Sequence, residues 1–152
     1  MPATAPSAPP ESDEQIISRF TRLTFAFCGA LAMVLALGVT FLIPHGSVRT
    51  RGMIIGGALG LCSWFGSRWI TRYALVRGAR TGPTEMAGAV GTAAFMGIGV
   101  AETSALVGLA LAFGEGGDVG SFVIAIPIAI AAIIVNASGP SAIRRHLDTL
   151  RA

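Results

Sequence analysis

Residues 86–113 read MAGAVGTAAFMGIGVAETSALVGLALAF, an apolar run in which Glu102 is the single charged side chain. A helix rises about 1.5 Å per residue and the hydrocarbon layer is about 30 Å thick, so about 20 apolar residues cross a membrane. This run is long enough to cross with tilt or to protrude. Small residues return in it at Ala87, Gly91, Ala94, Ala101, Ala105, Gly108 and Ala112, with Ile98 as the interruption, in alternating steps of four and three. Such a stripe lets a neighbouring backbone approach closely where lipid supplies no hydrophobic drive for helix pairing.

Three further spans are predicted on either side. Residues 23–43 carry no charge and end before Pro44 and Gly46. Residues 52–70 include Ser63, Ser67 and Arg68, but Trp64, Trp69 and Tyr73 have the character of an interfacial aromatic belt, with Arg68 within snorkelling reach of the headgroups. Residues 119–137 close the set, with a kink expected at Pro127. The expected fold is all-α, an integral membrane four-helix protein occupying residues 21–138.

Two polar tails flank it. Residues 1–20 are rich in proline and alanine and are expected to be disordered, although Ser12 and Gln15 have the spacing of a capping box. Residues 139–152 predict an amphipathic helix after a stop at Gly139 and Pro140, with Ile143, Leu147 and Leu150 on one side and arginines on the other. That pattern suits anionic lipid at the cytoplasmic face, or equally a partner's groove.

Only 12% of the 152 residues are charged, against about 25% in soluble domains, so the chain is expected in the lipid bilayer. All eleven basic residues are arginine, which excludes Schiff-base and P-loop lysine chemistry. Cys28, Cys62, His45 and His146 are too few and too scattered for a metal site, and no cofactor is implied. With no nucleophile and base pair and no phosphate loop, an enzyme is not expected. Arg19 and Arg22 precede the first span, Arg68, Arg72, Arg77 and Arg80 lie around the loop after the second, and Arg144, Arg145 and Arg151 follow the fourth. The first opposite loop has Arg49 and Arg51, and the last is acidic with Glu115 and Asp118. The positive-inside rule then places both termini in the cytoplasm, which is the N-in/C-in topology of a bacterial cytoplasmic membrane protein. Arginines dispersed over three span-flanking segments make no nucleic-acid surface.

The second span has its own small cluster, Gly56, Gly57 and Gly60. Together with the small-residue stripe it predicts a close-packed central hairpin of spans two and three, joined by a basic loop containing Gly78, Gly82 and Pro83. Glu102 lies near the middle of the third span, where an ionised carboxylate costs about 2.5–3.5 kcal/mol on insertion scales. Two readings stay open. In one, Glu102 takes up and releases a proton or cation, with Thr103 and Ser104 as nearby hydroxyls. In the other, a neutral Glu102 donates to a backbone carbonyl or to Ser63 and locks the bundle.

The run from Phe95 to Phe113, FMGIGVAETSALVGLALAF, resembles the carboxylate-bearing helix of the rotary ATP synthase proteolipid, subunit c. In that family a glycine-rich helix, a cytoplasmic loop with Arg and Pro, and a second helix with a proton-binding carboxylate form a hairpin. The resemblance spans residues 53–113. It implies proton binding at Glu102, the glycine-rich helix at Gly56, Gly57 and Gly60, and the polar loop at Arg80 and Pro83. The plan of four spans with a carboxylate in the third more loosely resembles ATP synthase protein I, an assembly factor. Three functions follow as expectations: a proteolipid-like protein handling protons at Glu102, an assembly or accessory factor, or a non-transporting subunit of a larger membrane complex. Each implies other membrane subunits or self-association as partners.

Overall fold

The computed structural model describes residues 12–42, 46–78, 86–114 and 118–151. They form α1 (Asp13–Leu42), α2 (Thr50–Gly78), α3 (Met86–Gly114), α4 (Gly120–Ala132), a π-helical turn (Ile133–Ser138) and α5 (Pro140–Arg151). α1, α3, and α4 continued through the π turn and α5 are long and apolar enough to cross a membrane, so the all-α chain reads as an integral membrane protein. α2 falls below that threshold, because Gly52, Gly56, Gly57, Gly60, Ser63, Gly66, Ser67 and Arg68 dilute its apolar side chains. His45, Arg80, Gly82, Pro83, Glu115 and residues 1–11 lie outside the described residues.

The expected tail at 1–20 is shorter than its composition suggests, because α1 begins at Asp13. The Ser12 N–H donates to Gln15 Oε1 (3.0 Å) and the Gln15 N–H to Ser12 Oγ (3.4 Å), closing a capping box. Ile16 and Phe20, one turn apart, are buried with Val90 and Ala94 of α3 and Ile143 and Leu147 of α5. The same cluster takes in the apolar side of the helix expected at 139–152. α5 turns its apolar side into the bundle, and Pro140 opens it where a missing N–H is harmless.

α4 is the centre of the fold. Phe122, Ala125, Ile126, Ala129, Ala132 and Ile133 are fully buried, and α1, α2 and α3 surround them. Ser63 Oγ donates to the Ala101 carbonyl (3.3 Å) and Thr71 Oγ1 to that of Ala93 (3.4 Å), which makes α2 and α3 antiparallel. Gly38 of α1 meets Phe122, while Thr24 meets Ser138, so α1 runs antiparallel to α4. Pro127 sits inside α4, but the departure from α geometry falls at the π turn.

Gly56 and Gly60 of α2 pack against α4, while Gly66 and Gly78 face Val100 and Ala89 of α3. A Cβ at Gly56 would lie 2.5 Å from the Ser121 carbonyl oxygen, and one at Gly60 would lie 2.5 Å from Ile128 Cδ1. Gly57, one position round the helix, has nothing within 4 Å. On α3, Ala94, Ala101, Ala105, Gly108 and Ala112 of the expected stripe are buried. The stripe serves several neighbours: Gly91 faces Phe20 of α1, and Gly108 faces Ala125 and Ser121 of α4.

Interhelical hydroxyl bonds add modestly to this packing. Thr24 Oγ1 lies 2.8 Å from the Phe20 carbonyl, the Ser138 carbonyl and Ser138 Oγ, one proton serving its own helix and the π turn. Such bonds between membrane helices average about 0.6 kcal/mol and reach about 1.7. Thr24→Val keeps the shape and is expected to lower stability within that range, measured by denaturant titration in mild detergent.

Candidate functional site

Glu102 is half-buried on α3. Among the described residues it has no hydrogen-bond or ion-pair partner. The hydroxyls expected around it are engaged elsewhere. Thr103 Oγ1 donates to the Gly99 carbonyl (2.8 Å) and Ser104 Oγ to that of Val100 (3.2 Å), each one turn back on α3. Ser63 donates to the carbonyl of Ala101, the residue before Glu102, without reaching the carboxylate. In an apolar solvent a hydroxyl bonds its own helix when no better acceptor is near. Cys28 is half-buried and Cys62 exposed, both as free thiols.

Two polar clusters lie away from Glu102. At one end of the bundle, Asp118 accepts the N–H of Arg49 (Oδ1, 3.1 Å), of Gly52 (Oδ2, 3.0 Å) and of Gly120 (Oδ1, 3.1 Å). One carboxylate therefore caps the starts of α2 and α4, where two parallel helix dipoles favour negative charge. Burial alone would raise its pKa. The three backbone donors and the Arg49 charge outweigh that and hold the carboxyl below the usual aspartate range. In the sequence Asp118 is merely one acid in a glycine-rich loop, and its partners are set by the approach of α2 to α4.

The opposite end holds the second cluster. Asn136 Nδ2 donates to the Trp64 carbonyl (3.1 Å) and lies 3.5 Å from Ser67 Oγ, and His146 Nε2 is 3.1 Å from the Ala137 carbonyl. Beside them Arg68, Arg72 and Arg145 border a cleft between α2, the π turn and α5. Asn136 at the end of an apolar span was the visible signal, but the convergence of arginines from two distant helices has no trace in local spacing. Comparison with family models, with curated proteins and with solved structures found no match.

Proposed function

We propose that the chain is a four-span protein of the bacterial cytoplasmic membrane, with both termini inside, in which Glu102 takes up and releases a proton as part of a larger membrane complex. The α2–α3 pair stands for the small-residue hairpin that the resemblance to subunit c implies. α2 supplies the fourth span. Its outward face is an apolar stripe, with Ile54, Leu61, Phe65, Trp69 and Val76 all exposed, which suits lipid. The distribution of arginines supports the orientation.

The observation that carries the reading is the state of Glu102. A structural lock needs its carboxyl bonded to a carbonyl or to Ser63, yet Glu102 makes neither bond among the described residues, and Ser63 donates its own proton to the Ala101 carbonyl. A half-buried carboxyl at membrane depth with no counter-charge or hydrogen-bond partner among the described residues takes a proton itself.

Dicyclohexylcarbodiimide, which modifies protonated carboxyls in apolar sites, is expected to label Glu102 in membranes at mildly acidic pH. Labelling should fall as pH rises and drop to background in Glu102→Gln, a variant that keeps the shape without the titration. Absence of labelling at acidic pH sinks the proposal. A second reading, an assembly or accessory factor, is favoured by one feature: Gly52, Gly56 and Gly60 meet α4 within the chain, so they offer no close-packing face to a neighbouring copy. Full activity of the co-purified complex carrying Glu102→Gln would select it.

A further inference from the structure

The cleft between α2, the π turn and α5 has a volume of about 560 Å³. Arg68, Arg72 and Arg145 border it, and no acidic residue is among its described lining. Leu75, Val76 and Val135 supply apolar wall. The neutral polar groups beside it are already occupied: Asn136 donates to the Trp64 carbonyl, and Thr149 Oγ1 donates to the Arg145 carbonyl (2.7 Å). The cationic donors at the cleft are guanidinium N–H groups.

Arg68 and Arg72 stand one turn apart on α2, and all three of these arginine side chains are solvent-accessible. Arg145 donates one N–H to the Val135 carbonyl at the π turn, which holds its guanidinium at the cleft and leaves its other donors available. Three cations around one cleft repel each other, and an anion among them converts that repulsion into attraction. Planar guanidinium forks match the oxygens of a phosphate. An apolar wall beneath a cationic rim further suits an amphiphile. The level is also right for one. Trp69 and Tyr73 stack with ring centroids 5.8 Å apart, and Arg77 reaches the Tyr73 hydroxyl (3.2 Å), on the same end of α2. Aromatic rings with arginines at one helix end mark the headgroup region.

We propose that this cleft binds a phosphate group, carried as the headgroup of an anionic phospholipid whose acyl chains leave past Trp64 and Val135. The proposal rests on α2 crossing the bilayer with this end at the headgroups, and it is independent of Glu102.

The test uses the purified full chain in mild detergent, with phosphatidylglycerol, phosphatidylcholine or inorganic phosphate added and binding read by native mass spectrometry. Phosphatidylglycerol should be retained over phosphatidylcholine. The double variant Arg68→Gln and Arg72→Gln should weaken its binding at least about tenfold, the loss of one charge-assisted hydrogen bond. Arg144→Gln removes the same kind of charge next to Arg145 in sequence but outside the cleft lining, and should leave binding unchanged. Arg145 is left intact because it also holds the π turn, and an unchanged melting temperature of the unliganded double variant certifies its fold. Inorganic phosphate that competes through Arg68 and Arg72 without lipid preference keeps the phosphate site but assigns it to a soluble ion. Equal weakening by Arg144→Gln, or no selectivity with either ligand, overturns the proposal. Labelling of Arg77→Cys by a membrane-impermeant reagent, in a Cys28→Ser and Cys62→Ser background, tests the placement of α2 separately. A misplaced α2 and a failed phosphate site are thereby told apart.

Discussion

Gly56→Val is expected to unseat α2 from α4, at a cost of about 3 kcal/mol or more. The added Cβ alone would lie 2.5 Å from the Ser121 carbonyl oxygen, 2.9 Å from that of Gly120 and 3.1 Å from Ile124 Cβ. Two of these atoms are backbone and cannot rotate away, so the helices must separate. Separation also opens the contacts of Gly52 and Gly60 along the same face. Gly57→Val is the matched control. It introduces the same side chain into open space and should stay within about 0.5 kcal/mol of the parent. Thermal unfolding in mild detergent, followed by circular dichroism, compares the two directly. Equal losses would show that valine within α2, and not contact with α4, sets the cost.

Asp118→Ala is expected to lower the melting temperature by several degrees and to remove part of the protein's acid sensitivity. The substitution strands the N–H groups of Arg49, Gly52 and Gly120 and exposes two helix starts without their counter-charge. The carboxyl has a lower pKa folded than unfolded, so the unfolded chain binds its proton first as pH falls. Its stabilisation is complete above the ordinary aspartate value of about 3.9 and is lost as pH drops below that, through the folded value. Melting curves collected from neutral pH to below 4 should therefore converge for parent and variant at the acid end. A constant gap down to the lowest pH would mean that the ionised carboxylate is not the cap. Gly52→Ala should mimic the variant, since its Cβ would fall 2.3 Å from Asp118 Oδ1 and displace the carboxylate.

What was legible in the sequence was whatever periodicity encodes. The apolar run at 86–113 and the steps of its small residues announced a helix with one buried face, and Ala94, Ala101, Ala105, Gly108 and Ala112 are on it. Spacing also puts Gly56 and Gly60 on one face. It does not say which helix lies opposite, and that helix is α4, more than sixty residues on. The start of α1 was obscured by composition. Proline, alanine and acids suggested a tail, although Ile16 and Phe20 already had helical spacing. Glu102 stood out as the charge in an apolar run, but the hydroxyls nearest in sequence satisfy their own backbone and do not serve it. Asp118 and the arginine cleft depend on approaches between distant segments, which local patterning does not carry.

The position of α4 has a consequence for biogenesis. It is the last of the bundle's long helices to leave the ribosome, yet it is the one around which the other three are arranged. During synthesis α1, α2 and α3 emerge before their common partner exists, so the face bearing Gly52, Gly56 and Gly60 lacks the surface it packs on until α4 follows. Bundle closure then waits for α4, whose arrival also brings Asp118 into reach of the start of α2. A nascent chain halted after α3 should accumulate with its helices unassembled, open to the cell's quality control.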